Sequence, residues 1–189
     1  MNNKNPKFIM YVGPMFSGKT SRLLSLIDRY TYQNKAIIAF KPKMDDRYAA
    51  AAIQTHSGAK IDAITVNSGK DILQHLLDAN QDFDIVAVDE AFMIDNSSDA
   101  LIHLFKLGKT IIISSLEMSA TCTPFDEITA MTPWATHIEK CPSVCVVCQK
   151  DAYYTQKKDD VIKQIHVGGA DLYEPRCWGC HSYINNRDI

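Results

Sequence analysis

An excess of either charge is missing from this sequence: 20 Lys and Arg stand against 22 Asp and Glu, a formal net charge of −2. No overall basic field therefore marks nucleic acid as an obligatory partner, and such a role would need a local patch. Long hydrophobic runs are missing too. The most apolar stretches, residues 8–12, 36–40, 85–88 and 111–113, are strand-sized and far short of a membrane span. The start MNNKNPK lacks the basic, apolar and small-residue succession of a signal peptide. The expectation is a cytoplasmic protein with no membrane partner. Internal repeats and low-complexity tracts are absent. The 6 histidines are scattered, with no pair at helical metal-ligand spacing, and nothing supports Ser-His-Asp chemistry. Within 189 residues, 46% are hydrophobic and 22% charged, which excludes disorder, collagen-like repeats and coiled coil. One full domain with a small appended module fits that length.

What is present alternates between two periods. Phe8 to Val12 is an apolar run that ends at Gly13, and a helical pattern follows with Leu23, Ile27 and Tyr30 on one face. Ala36 to Phe40 reads as a second strand, and the aperiodic stretch through Asp45, Asp46, Arg47 and Tyr48 as a functional loop. Helical spacing returns at Asp71 to Leu77 and at Ser97 to Leu107, each followed by a β-rich run, Asp84 to Val88 and Lys109 to Ser115. Strands apolar on both faces, alternating with helices, imply an α/β fold with a mostly parallel sheet covered by helices. From about Cys141 the pattern gives way to cysteines, aromatics and short polar turns. We expect an α/β domain over residues 1–140 and a small loop-rich module over residues 141–189.

Three motifs carry chemistry. The segment GPMFSGKT, comprising Gly13, Pro14, Met15, Phe16, Ser17, Gly18, Lys19 and Thr20, fits G-x-x-x-x-G-K-[ST] between an expected strand and an expected helix. Such a loop aims backbone N–H groups and a helix N-terminus at phosphates; Lys19 reaches the β- and γ-phosphates and Thr20 offers a hydroxyl to Mg²⁺. The plainer alternative is a glycine turn with an exposed lysine. Second, the apolar strand Ile85 to Val88 ends in Asp89 and Glu90, at the sheet end where α/β proteins bind ligands. Asp89 is placed to hold Mg²⁺ and Glu90 to act as a general base, although a strand capped by two surface carboxylates would read the same way. Third, Cys145 and Cys148, with Cys177 and Cys180, form two C-x-x-C knuckles that suit a structural tetrahedral Zn²⁺. A redox pair or four buried thiols are the competing readings. Cys122 and Cys141 remain as ordinary small side chains.

GPMFSGKT, DDRY (Asp45 to Tyr48), Thr55-His56, DIVAVDEAF (Asp84 to Phe92), CVVC, VGGADLYEPRC (Val167 to Cys177) and CWGC occur in that order. Together they resemble the type II, zinc-containing thymidine kinases, and the resemblance runs from Tyr11 to about Tyr183. It implies a P-loop α/β domain with a C-terminal zinc-ribbon domain whose lasso closes over the nucleoside. The implied reaction moves the γ-phosphoryl group of ATP to the 5′-hydroxyl of thymidine, usually in a homotetramer. By motif match Glu90 is the general base, Lys19 and Arg47 contact donor phosphates, and Thr20, Asp45 and Asp89 organise Mg²⁺. Met15, Phe92, Met93, Ala120, Phe125, Val167, Gly168, Gly169 and Tyr173 fall on the nucleoside side. The chain departs from the family where D-E-x-Q-F reads Asp89, Glu90, Ala91, Phe92, Met93. It departs again where D-G-T-F-Q-R-K-P-F reads Glu117 to Phe125, with Ala120 in place of an aromatic. Losing that ring should enlarge the base pocket unless Phe92 or Met118 fills it. A kinase for another deoxynucleoside, a nonenzymatic P-loop nucleotide binder and a nucleic-acid-stimulated ATPase are the other readings.

Overall fold

The computed structural model describes residues 5–45, 52–55, 58–158 and 169–185. Along the chain follow β1 (Phe8–Val12), α1 (Lys19–Tyr32), β2 (Ile37–Pro42), β3 (Ala52–Gln54), β4 (Lys60–Asp62), β5 (Ile64–Val66) and α2 (Gly69–Asp78). Then come β6 (Ile85–Asp89), α3 (Ser97–Lys106), β7 (Thr110–Ser115), α4 (Asp126–Met131) and β8 (His137–Lys140). Among the described residues six strands form one sheet in the order β5-β2-β6-β7-β1-β8, every neighbouring pair parallel.

Strand side chains alternate between faces, and here both faces are covered, so both sets are apolar. Phe8, Met10, Val12, Phe40, Val86, Val88, Ile111 and Ile113 pack with α2, α3 and α4 through Ile72, Leu101, Leu104 and Ile128. The intervening residues Ile9, Tyr11, Ala39, Ile85, Ala87 and Ile112 meet Leu23, Leu24 and Ile27 of α1, with Ile53 and Ile61 of the β3–β4 hairpin alongside. The expected parallel α/β sheet is present. β2 runs two residues past the expected Phe40, and Pro42 ends it paired with Val66 of the edge strand β5. The β3–β4 hairpin, β5, α4 and β8 are additions to the expected elements.

After β8, the Cys141 N–H donates to Val12 O at 2.7 Å, and the chain continues through β9 (Ser143–Val144), β10 (Asp151–Ala152), β11 (Tyr154–Lys157) and β12 (Tyr173–Arg176) to the single turn α5 (Ser182–Asn185). β9 pairs with β10 and β11 with β12, both antiparallel.

Candidate active site

β1 ends where its backbone must turn sharply into α1, and the loop between them holds positive φ at Gly13 (144°), Phe16 (62°) and Gly18 (73°). Gly13 is a glycine for a steric reason: a Cβ there would lie 2.3 Å from the carbonyl oxygen of Cys141. The loop is braced from within. Ser17 Oγ donates to Pro14 O at 2.8 Å, Lys19 Nζ donates to the same carbonyl at 2.6 Å, and Arg22 donates to Ser17 O at 3.1 Å. It is also braced from the C-terminal segment, where the Met15 N–H donates to Thr155 Oγ1 at 3.0 Å and Ser143 Oγ to Phe16 O at 3.1 Å. The loop and the first turn of α1 line a cavity of about 330 Å³, from Met15 to Ser21.

Lys41, Asp45, Asp89 and Glu90 line the same cavity, with Ala52 to Thr55 of the hairpin and Gly169 of the C-terminal segment. β6 brings Asp89 to the loop after β1 because only β7 lies between the two strands. Thr20 Oγ1 donates to both oxygens of Asp89, at 3.2 and 3.3 Å, and Ser114 Oγ of β7 donates to Oδ1. Burial raises the Asp89 carboxyl to about 7; the Glu90 charge pushes the same way, Ser114 and Lys19 oppose it, and Asp45 adds to it. A turn after β2, closed by Asp45 N–H to Pro42 O at 3.1 Å, returns Asp45 to within 3.9 Å of the Lys41 ammonium, both side chains buried. Two ammonium groups thus share the cavity with three carboxylates. That balance, with the Thr20 hydroxyl on Asp89, suits an oxygen-liking divalent cation accompanied by phosphates. Glu90 itself sits at φ 49° and ψ 46°, a left-handed conformation costly for a residue with a Cβ, where β6 breaks into a short 3₁₀ turn.

The two C-x-x-C knuckles meet. Cys145, Cys148, Cys177 and Cys180 place their sulfurs within 4.8 Å of one another, and the Cys148 and Cys177 sulfurs are 3.5 Å apart. That is too long for a disulfide and close to the roughly 3.8 Å edge of a tetrahedron built on Zn–S bonds of about 2.3 Å. Burial pushes the Cys145 thiol up, but backbone N–H groups of Cys177, Cys148 and Val147 outweigh it and hold it at about 6. Hydrogen bonding with Cys177 and Cys148, helped by burial and Cys145, pushes the Cys180 thiol to about 12. Cys145 is thus held toward the thiolate and Cys180 toward the thiol, and a cation bound among the four sulfurs would favour the ionised form.

A family model described as Thymidine kinase matches residues 7–181. The chain belongs to the thymidine kinase family. The match spans the sheet, the loop from Gly13 to Thr20, the carboxylates and all four knuckle cysteines. Family membership makes it a kinase. No helix among the described residues is long and apolar enough to cross a membrane.

Besides the four cysteines, the site residues expected from the sequence fall into three groups. All of Met15 to Thr20, with Asp45, Asp89, Glu90 and Gly169, line the one cavity, and Gly13 and Pro14 form its loop. Phe92, buried in the core, and partly buried Phe125 pack on each other with ring centroids 4.4 Å apart. Met93 packs partly buried against that core, and Ala120 sits in the tight turn closed by Cys122 N–H to Ser119 O. Tyr173 starts β12, opposite Lys157. Arg47, Val167 and Gly168 lie outside the described residues, as do Asp46, Tyr48 and His56. Sequence reading passed over Lys41, Ser114, Thr155 and His181. Only Lys41 carried a signal, a lysine closing an apolar strand at the sheet's ligand end.

Proposed function

We propose that this thymidine kinase family member is a deoxynucleoside 5′-kinase with thymidine as its default substrate, using ATP and Mg²⁺. The observation that carries the reading is the shared cavity: the phosphate cradle, Asp89 and Glu90 open into one volume, with Gly169 of the C-terminal segment on its wall. In this reading the loop from Gly13 to Thr20 holds the donor phosphates with Lys19, and Arg47 joins them. Thr20, Asp45 and Asp89 are the ligand set for Mg²⁺, which when bound neutralises charge on the phosphates. The nucleoside lies toward Met15, Gly169 and the neighbouring Val167, Gly168 and Tyr173. Glu90 accepts the 5′-hydroxyl proton as that oxygen bonds to the γ-phosphorus and the bond from phosphorus to the ADP oxygen breaks. Positioning and charge neutralisation supply most of the acceleration.

Cys145, Cys148, Cys177 and Cys180 would hold a structural Zn²⁺, which would cross-link the two knuckles and take no part in the reaction. The C-terminal residues 141–189 then act as a ribbon and lasso attached to the α/β unit of residues 1–140. The assembly is a homotetramer acting in the cytoplasm in DNA precursor supply.

A panel of deoxynucleosides incubated with ATP and Mg²⁺ tests the function. Thymidine monophosphate should form, and Glu90→Gln should lower kcat by about 10²- to 10⁴-fold. Turnover of another pyrimidine deoxynucleoside in preference to thymidine would move the substrate assignment to the altered turn at Ala120. ATP binding with no turnover of any nucleoside would leave a nucleotide-binding protein.

A further inference from the structure

His181 follows the last knuckle cysteine and is completely buried. Its Nε2 lies 3.1 Å from the carbonyl oxygen of Thr155, and its Nδ1 lies 3.4 Å from the Ile184 N–H. A carbonyl oxygen only accepts and an N–H only donates, so Nε2 carries the proton and Nδ1 receives one. Thr155, itself buried, turns its hydroxyl to the phosphate loop and accepts from the Met15 N–H. The same stretch is fastened on both sides. The Ser182 N–H donates to Gln156 Oε1 at 2.7 Å, and the Tyr154 ring meets the His181 ring edge-on at 5.9 Å. Three residues far apart in sequence, Met15, Thr155 and His181, thus form one continuous chain of hydrogen bonds from the loop to the second cysteine knuckle.

We propose that His181 is a positioning residue for the phosphate loop, holding Thr155 at the place where its hydroxyl takes the Met15 N–H. The carbonyls of Pro14 and Ser17 are braced locally, by Ser17, Lys19 and Arg22. Met15 and Phe16 between them are held from the C-terminal segment, by Thr155 on Met15 and Ser143 on Phe16. Met15 lines the cavity, so a shift of its backbone moves a wall of the site. The Thr155 carbonyl accepts from His181 while its hydroxyl accepts from Met15, so the imidazole fixes the backbone from which the hydroxyl reaches out. The inference rests on the phosphate-cradle reading of the site and not on the identity of the nucleoside.

The test uses the full chain with its zinc content measured, and reads hydrogen exchange at the Met15 amide together with affinity for a nonhydrolysable ATP analogue with Mg²⁺. His181→Phe fills the space and removes the donor. It should keep its zinc, lose protection at Met15 and weaken nucleotide binding on the order of fivefold to tenfold, the scale of one buried hydrogen bond. His181→Gln, whose amide can donate to the same carbonyl, should restore most of the protection. Thr155→Val should match His181→Phe, and the double variant should be no worse than either single one. Unchanged Met15 exchange in His181→Phe, or additive losses in the double variant, would overturn the proposal. Should His181→Phe fail to fold, loss of Met15 protection in zinc-replete His181→Gln would overturn it, and retained protection with loss in Thr155→Val would support it. None of these readings needs phosphoryl transfer, so a protein that responds as described yet phosphorylates nothing would retire the kinase assignment alone.

Discussion

Lys41 is 2% exposed at the end of β2, and each charge of the Lys41–Asp45 pair is tolerable there because the other is near. Lys41→Met should cost about 3–5 kcal/mol, read as a lower urea midpoint, because a buried carboxylate loses its ammonium. Replacing Asp45 as well, with Leu, should recover much of that stability while leaving Mg²⁺-nucleotide binding impaired. Glu90 presents the opposite bargain. Its left-handed backbone and its charge beside Asp89 both work against the fold. Glu90→Gly should therefore raise Tm while abolishing turnover, and a lower Tm would mean that the carboxylate stabilises the fold after all. Lysine in an apolar strand was visible in the sequence, but its partner was not, because nothing in the stretch from Lys41 to Asp45 announces the turn that folds one back on the other.

At the level of elements, α2 starts with a capping box in which the Asp71 N–H donates to Ser68 Oγ and the Ser68 N–H donates to the Asp71 carboxylate. Ser68→Ala should cost about 1 kcal/mol. Backbone N–H groups of Asn67 and Ser68 hold the Asp71 carboxyl below its ordinary value. Its contribution is therefore present above the unfolded value of 3.8 and disappears as pH falls through the lower folded value. Urea midpoints of wild type and Asp71→Asn should differ at pH 7 and converge in strong acid. The next residue, Gly69, opens the helix against α3, and a Cβ there would meet Asn96 O at 2.2 Å. Gly69→Ala should thus destabilise by about 1–3 kcal/mol although alanine is the better helix former, since neither backbone can move cheaply. The long elements were legible because strands buried on both faces leave unbroken apolar runs and α1 and α3 keep one apolar stripe. β3, β4 and β5 span three residues each, and β8, an edge strand reading His-Ile-Glu-Lys, alternates like solvent-facing coil. Such short elements are dictated by the neighbour they pair with, which no local period records.

Taken as a whole molecule, the chain divides the work of its site between ends of the sequence. The cradle, the Asp-Glu pair and the knuckles could be found by spacing because each is a local pattern. The contacts of Thr155 on Met15 and of His181 on Thr155 span 140 and 26 residues and left no such trace. Zinc chelation should accordingly do two separable things. Nucleoside-dependent turnover should vanish, while affinity for Mg²⁺-ATP should fall by no more than the contact of Thr155 on Met15 carries, roughly tenfold. Isothermal titration of the apo and zinc-restored protein measures both. Equal turnover with and without zinc would remove the metal from the account of activity.

The carbonyl of Cys141 presses against Gly13 from the far end of the sheet-forming chain, directly after its last strand. The polypeptide just after β8 thus forms the underside of the loop from Gly13 to Thr20. The residues before and after Cys141 are therefore not interchangeable cassettes. A truncated protein ending at residue 140 would lack the surface on which its own loop rests, and a C-terminal segment borrowed from elsewhere would have to reproduce that seam before the loop could keep its shape.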